Sequence, residues 1–340
     1  MSERRWNPQL REWVITATHR QDRTFLPPAE SCPLDPARPG QPPTEIDRTD
    51  FDVAVFDNRF PSLSADPPEP AIAGSDLLPV ETAAGACEVV VYTPQHEGSL
   101  GGLSVEHIRR LIAVWAHRTA VLAARPEVAY VFVFENRGEA IGVTLHHPHG
   151  QIYAYPMVPP HLEREVAAAR AHRDEHGGCL WCGVVVEERA DGRRVLLDED
   201  GWVATVPFYA RWPYEVHLTP SRHVGWLTEL TGDEALGLAR TLKVLLAKYD
   251  ALFGFPLPYI MAVHQRPTDG GDHDGYHLHL EFYPPHRTEK KLKFLAGSEA
   301  GAGAFINDTL PEETAERLRG LAPRTLADLD LDRDMEGDAT

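Results

Sequence analysis

The chain of 340 residues has only four cysteines, no long apolar run and no excess of basic charge. Each shortage excludes something. Four cysteines in a chain this long do not make a disulfide scaffold, and a reducing cytoplasm is their simplest setting. No stretch reaches the roughly 18 consecutive apolar residues that a membrane-spanning helix needs, so no membrane partner is expected. The first residues, Met-Ser-Glu-Arg-Arg-Trp, lack the apolar centre of a signal peptide. Lysine and arginine total 33 against 51 aspartates and glutamates, a net charge of −18. That balance works against general nucleic-acid binding, because phosphate backbones need basic patches. A single nucleotide can still be held by a few arginines and backbone donors. What the chain does have is 43% hydrophobic residues, enough for a sizeable core in one large domain or two, and seventeen histidines that cluster.

The densest cluster is His146-His147-Pro148-His149-Gly150-Gln151, flanked by the apolar runs Val131–Phe134 and Ile152–Tyr155. Imidazole is both a nucleophile and a metal ligand near neutral pH. Pro148 fixes its own φ and biases His147 towards extended backbone, on which residues i and i+2 face the same side. Gly150 permits close approach of backbone or ligand. Gln151 supplies a neutral amide that can donate to an anionic oxygen. The alternatives are a solvated histidine-rich loop or a core imidazole; apolar strand-like residues on both sides argue against the loop.

His147-Pro148-His149-Gly150-Gln151 resembles the active-site signature of the galactose-1-phosphate uridylyltransferase family, a branch of the histidine-triad superfamily. Further blocks resemble that family in the same order: Arg5–Pro8, Thr18–Arg23, Phe56–Pro61, Phe134–Gly138, Pro213–Glu215, Phe282–Pro285 and Lys293–Glu299. The resemblance implies that His149 attacks the α-phosphorus of UDP-glucose and that galactose 1-phosphate then takes the uridylyl group by a ping-pong route. Gln151 would stabilise the transferring phosphoryl oxygens. Arg20 and Arg23 match arginines near the phosphates, although taken alone they read as surface charges. Asn58, Phe60, Phe134, Asn136 and Thr144 match positions lining the nucleotide and phosphate pocket; Phe60 and Phe134 alone would read as core. Lys293, Gly297 and Glu299 fall in a segment that the family uses for the hexose phosphate, reaching over from a partner subunit, so a homodimer is implied. Two positions depart from the pattern: Arg59 stands where many relatives carry aspartate, and Phe305 near a position where the best-known relatives carry glutamine. Alternatives are a related phosphorylase that passes the nucleotidyl group to phosphate, and a non-catalytic nucleotide- or metal-binding protein.

A weak internal repeat underlies these blocks. Tyr92–His96, a helix, a strand and the His-Pro-His motif are matched by Leu218–His223, a helix, a strand and His277-Leu278-His279-Leu280-Glu281. His96 precedes His147 by 51 positions (147 − 96) and His223 precedes His277 by 54 (277 − 223). The expected fold is therefore α+β: two histidine-triad-like units, mainly antiparallel sheets with helices packed on one side. The halves are expected at 1–165 and 179–322, with a linker at 166–178 that could be helical and an acidic, partly disordered tail at 323–340. Ile108, Leu111, Ile112, Trp115 and Leu122 form a helical stripe after a capping Ser104. Thr231 and Glu234 form a capping-box pattern before Leu238, Leu242, Leu245, Leu246 and Tyr249. Strands are expected at 52–56, 88–93, 129–135, 151–155, 183–187, 193–197, 202–206, 214–218, 259–263 and 277–283, and loops at 26–45 and 64–84.

The resemblance also implies metal centres. The first half offers Cys32, Asp35, His96 and His147, with an aspartate where the family has a second cysteine, a harder ligand than thiolate. The second offers Cys179, Cys182, His223 and His277 in matching register, a zinc set; without the histidines, Cys179-Leu180-Trp181-Cys182 could equally be a redox or packing pair. A further set, Glu165, His264, His279 and Glu281, would hold iron or zinc in a structural role, or be only a hydrogen-bonded polar cluster. Cys87 reads as a buried strand residue.

Overall fold

The computed structural model describes residues 2–22, 27–28 and 31–329. In chain order the first half runs β1 (Ser2–Asn7), β2 (Glu12–Ala17), β3 (Ala54–Asp57), β4 (Val80–Thr82), β5 (Ala86–Val91), α1 (Val105–Ala123), β6 (Tyr130–Arg137), β7 (His149–Tyr155) and α2 (Pro160–His176). The second continues with α3 (Leu180–Asp191), β8 (Val195–Glu199), β9 (Trp202–Thr205), β10 (Val216–Pro220), α4 (Gly232–Phe253), β11 (Tyr259–His264), β12 (His279–Tyr283), β13 (His286–Thr288), β14 (Lys291–Leu292) and α5 (Pro311–Arg319).

One antiparallel sheet of nine strands crosses both halves, in the order β3-β5-β7-β6-β11-β12-β10-β9-β8. The order is nearly symmetrical about its centre, where β6 pairs with β11. The unit β5-α1-β6-β7 is repeated as β10-α4-β11-β12, which is the duplication legible in the sequence. In register, Gln151 lies opposite Val89 and Phe134, and Glu281 lies opposite His217 and Ala262.

Strand residues alternate between faces, and the two faces differ in chemistry. Val90, Val131, Val133, Ile152, Leu218, Met261, Val263, Leu280 and Phe282 turn to the side covered by α1 and α4. Those helices present their expected apolar stripes, buried throughout. Each fully buried leucine there contributes about 1.5–3 kcal/mol. Ser104 Oγ accepts from His107 N at 3.1 Å, and the Thr231–Glu234 capping box closes in both directions at 3.2 and 2.8 Å. The opposite face carries His149, Gln151, Tyr153, His217, His264, His279 and Glu281. Over its second half lie α2 and α3, where the rings of Trp181 and Tyr276 pack at a tilt with centroids 4.8 Å apart.

Residues 183–187, expected as a strand, belong to helix α3. The run Val184-Val185-Val186 favours extended backbone, yet Trp181, Val185 and Glu188 recur at helical spacing and bury one face. The segment 166–178 largely continues α2. The separate three-stranded sheet β2-β1-β4 was not expected, and β4 falls inside the 64–84 stretch read as loop. Residues 330–340 of the expected tail lie outside the described residues. Among the described residues no helix is long and apolar enough to cross a membrane.

Candidate active site and metal centres

His149 opens β7, and its imidazole is fixed by its own strand. Nδ1 donates to the carbonyl oxygen of His147 at 2.7 Å, which leaves Nε2 carrying the lone pair. Burial, opposed by that hydrogen bond, lowers the pKa of the ring below its ordinary value, so the imidazole is held neutral and nucleophilic. Gly150 is the one residue that fits next to it. A Cβ there would stand 2.2 Å from Tyr92 Oη and 3.0 Å from the carbonyl oxygen of Phe134.

His149 and Gln151 line an open cleft, together with Asn58, Phe60 and Thr144 and with Phe56, Val89 and Leu145. Gln151 Oε1 accepts from Asn58 Nδ2 at 3.4 Å and from Tyr153 Oη at 3.2 Å. With its oxygen occupied, the amide is oriented to donate from nitrogen. Arg20 Nη1 donates to Tyr153 Oη at 3.1 Å and to the carbonyl oxygen of Phe60 at 3.3 Å, behind the same wall. Phe134 does not line the cleft directly; it stacks on Phe132 at 5.2 Å and meets Tyr153 edge-on at 5.0 Å. Asn136 lies further along β6, opposite Ile260. Arg23 lies outside the described residues.

Lys293, Gly297 and Glu299 are not brought to this cleft. Lys293 is buried, with Nζ 3.2 Å from Glu299 Oε1 and donating to the Ile306 carbonyl oxygen, and Gly297 begins a single π-helical turn, Gly297–Gly301.

Two four-donor clusters match the repeat. Cys179, Cys182, His223 and His277 converge with donor atoms within 4.8 Å of one another. Cys179 Sγ and Cys182 Sγ lie 3.6 and 3.5 Å from His277 Nδ1, and Cys182 Sγ lies 3.9 Å from His223 Nδ1. These separations suit donors placed roughly 2.0–2.3 Å from a shared tetrahedral ion. His223 Nε2 donates to the Asp274 carbonyl oxygen at 2.9 Å, turning Nδ1 inward. Burial pushes the Cys179 thiol up to about 12, a proton that a bound metal would displace. Cys32, Asp35, His96 and His147 form the same figure with a carboxylate in place of one thiolate. Asp35 Oδ1 lies 2.9 Å from His96 Nδ1 and 3.1 Å from His147 Nδ1, while His147 Nε2 donates to the Thr93 carbonyl oxygen at 2.7 Å.

In the third cluster a further histidine joins the expected residues. The four donors that lie within 4.8 Å of one another are His161, Glu165, His264 and Glu281. His279 stands at the edge of that group, its Nε2 3.4 Å from Glu281 Oε1 and 3.8 Å from Glu165 Oε2. Burial disfavours a charge on His264, but Glu165 and Glu281 outweigh it and hold the imidazole up at about 9.

The two halves of the chain also match known sequences. A family model described as the galactose-1-phosphate uridyl transferase N-terminal domain matches residues 1–159, and one for the C-terminal domain matches residues 165–332. The chain belongs to the galactose-1-phosphate uridylyltransferase family. It is 41% identical to the galactose-1-phosphate uridylyltransferase of Thermotoga maritima over 94% of this chain and 98% of that one. The enzyme of that name from Streptomyces lividans is 39% identical, with 94% and 87% covered. A solved uridylyltransferase structure superposes with a TM-score of 0.83 at 39% identity, covering 93% of this chain and 97% of that one. An ADP-glucose phosphorylase from Arabidopsis thaliana, solved with bound ADP-glucose, shares the fold at a TM-score of 0.72 and 23% identity, over 95% and 99%.

Sequence reasoning from the family missed His161 and the cleft residues Glu45 and Leu145. His161 and Glu165 stand four positions apart at the start of α2, one helical turn, and that spacing was the available signal. Glu45 sits in a proline-rich loop with no periodicity to mark it; its carboxylate pairs with Arg59 at 3.3 Å on the rim of the cleft.

Proposed function

We propose that the chain transfers uridylyl from UDP-glucose to galactose 1-phosphate through a covalent uridylyl-histidine, as a UDP-glucose–hexose-1-phosphate uridylyltransferase. The observation that carries the reading is the pairing, in one open cleft, of a neutral imidazole with a free Nε2 and an amide set to donate. The lone pair of His149 Nε2 forms a bond to the α-phosphorus as the bond to the glucose 1-phosphate oxygen breaks. The electron pair leaves with glucose 1-phosphate, already a stable anion, so no strong acid is needed. Galactose 1-phosphate then attacks the same phosphorus from its phosphate oxygen and restores the imidazole. Gln151 stabilises the phosphoryl oxygens in both steps. Arg20 braces Tyr153 and the Phe60 backbone. Asn58, Phe60 and Thr144 hold the nucleotide, with Phe134 packed behind Tyr153 and Asn136 further along the same strand.

In this reading residues 1–165 carry the nucleophile, and residues 179–322 carry none of the groups that react within their own chain. The thiolate–imidazole set fits zinc, since its donors are soft and tetrahedrally spaced. Zinc there, and in the Cys32 set, supplies cross-linking of loops to the sheet and no step of the transfer. Lys293, Gly297 and Glu299 serve the cleft of a second copy. The exposure of Phe294, Leu295 and Ile306 in the same segment supports a homodimer. Four free cysteines support a cytoplasmic setting.

The deciding experiment incubates the protein with UDP-glucose and galactose 1-phosphate and assays UDP-galactose. Turnover with a trapped uridylyl-enzyme is expected. Absence of turnover, together with phosphate-dependent release of nucleoside diphosphate, would overturn the reading in favour of a phosphorylase.

A further inference from the structure

We infer that His161 is a metal ligand and completes a third centre, built from nitrogen and oxygen donors only. The inference rests on the reading that Glu165, His264, His279 and Glu281 hold a metal; it adds to that set a second donor from α2, one turn before Glu165. His161 Nε2 lies 3.2 Å from Glu165 Oε1, and His264 Nδ1 lies 3.1 Å from both oxygens of Glu165. His264 Nδ1 lies 3.9 Å from Glu281 Oε1. Two imidazoles and two carboxylates thus converge between α2, β11 and β12, with the imidazole of His279 at the edge of the group.

A second observation asks for a cation at that point. His279 Nδ1 donates to the His277 carbonyl oxygen at 2.9 Å, so Nε2 presents a lone pair. That nitrogen is buried, has no hydrogen-bond partner and faces two carboxylate oxygens at 3.4 and 3.8 Å. A lone pair aimed at anions in a buried site is unfavourable unless a positive charge sits between them. The remaining contacts leave that place open. Tyr276 Oη donates to Glu165 Oε2 at 2.5 Å, Tyr283 Oη donates to Glu281 Oε2, and Arg211 Nη2 lies 3.6 Å from Glu281 Oε2. Glu281 Oε1, turned towards His264 and His279, is also 3.4 Å from His217 Nε2, but His217 is drawn off by Glu215 Oε1 at 2.9 Å. Arg211 also approaches His161, with Nη2 3.5 Å from Nε2; an ion at the centre would compete with that contact and turn His161 inward.

The donor set selects the class of metal. Imidazole and carboxylate without thiolate suit a divalent first-row ion such as ferrous iron, manganese or zinc. The protein therefore holds chemically distinct metals in adjacent parts of its second half, one behind thiolates and one behind carboxylates. His161 is the most solvent-accessible of the five donors and lines a cleft with Phe132, Tyr155 and Phe305, so the ion enters from that side.

The test uses the full chain, stripped of metal by a chelator and titrated with cobalt(II), ferrous iron and zinc, with total metal measured by mass spectrometry. The wild-type protein is expected to take up one equivalent whose cobalt spectrum lacks sulfur-to-metal charge transfer. His161→Ala should weaken that equivalent at least tenfold and shift its ligand-field bands, while the sulfur-ligated zinc is retained and circular dichroism is unchanged. Glu165→Gln, within the reading it rests on, should lose the same equivalent. Binding by His161→Ala within threefold of wild type, with identical bands, overturns the role of His161 while leaving the centre in place. A wild-type protein that binds no sulfur-free equivalent overturns both.

Discussion

Gln151 and Glu281 occupy the same place in the two halves. Each follows by two residues a histidine whose Nδ1 donates to the carbonyl oxygen of the histidine before it, at 2.7 Å for His149 and 2.9 Å for His279, and each is contacted by the tyrosine two residues on, Tyr153 or Tyr283. One scaffold thus carries two chemistries, set by one side chain. A neutral amide beside a free imidazole suits an anionic phosphoryl group. A carboxylate in that place repels phosphate and attracts cations.

The first prediction follows from that contrast. His149→Asn should abolish both transfer and the covalent adduct, read with radiolabelled UDP-glucose, while unfolding temperature stays close to wild type. Gln151→Ala should slow transfer by about 10²-fold, the scale for losing one preorganised donor. Gln151→Glu, which copies the second half, should slow it further. A wild-type adduct yield in His149→Asn would show that another group is the nucleophile.

The two thiolate-bearing clusters should differ in their effect on stability. Cys182→Ser breaks a closed set of two thiolates and two imidazoles, whereas Asp35→Ala removes one carboxylate from a set that already lacks a thiolate. Cys182→Ser is expected to lose zinc by elemental analysis and to lower the unfolding temperature more than Asp35→Ala does. Transfer per folded molecule in Cys182→Ser should stay within about threefold of wild type, since among the described residues none from the second half of the same chain lines the His149 cleft. Equal destabilisation by the two substitutions would refute the ranking.

Glu135 should make stability depend on pH. It lies in β6, accepts from Tyr92 Oη at 3.2 Å and Tyr259 Oη at 3.1 Å, and burial raises its carboxyl from 4.5 to about 7 despite Arg137. The folded state therefore keeps a proton that the unfolded chain releases above pH 4.5. This group's contribution to stability falls as pH rises from about 4.5 to about 7 and is level above. The full difference is on the order of 3 kcal/mol. Glu135→Gln should be more stable than wild type at pH 8 and should lose that advantage at pH 4.5, measured by denaturant unfolding across the range. A difference that does not vary with pH would mean that Glu135 is ionised in the fold.

Gly150 gives the fourth prediction. Gly150→Ala drives a methyl group into Tyr92 Oη, and it should cost about 1–3 kcal/mol, the usual range for overpacking, and displace His149 enough to lower kcat. Tyr92→Phe removes the clashing oxygen and should recover part of the stability in the double variant. Additive losses in the double-mutant cycle would place the strain elsewhere.

Most of the fold was legible because its signals are local. The stripes of α1 and α4 and their caps at Ser104 and Thr231 are written in consecutive residues, and the duplication is written in spacing. What escaped has no local signature. The strand β1 reads Ser-Glu-Arg-Arg-Trp-Asn, yet Glu3 and Arg4 are buried because each finds a partner: Arg5 Nη2 lies 2.5 Å from Glu3, and Arg4 pairs with Glu81. Valines 184–186 favour a strand, and only packing of Trp181 and Val185 against the polar face makes them helical. At the site, His149, Gln151 and the Cys179–Cys182 pair were marked by motif. Glu45 joins the cleft only through tertiary placement, whereas His161 had a local mark in its spacing of four from Glu165.

The β6–β11 pairing at the centre of the sheet has a mechanical consequence. Five residue pairs, Tyr259–Arg137 through Val263–Val133, bond the halves edge to edge, so they cannot swing about a hinge as two lobes do around a ligand. The cleft must exchange its sugar nucleotides by local rearrangement of the rim, where the segments between β2 and β3 and between β6 and β7 bring Glu45, Thr144 and Leu145 to its mouth. Turnover in this chain is thereby tied to the stiffness of two connecting segments and is insulated from any relative motion of its duplicated parts.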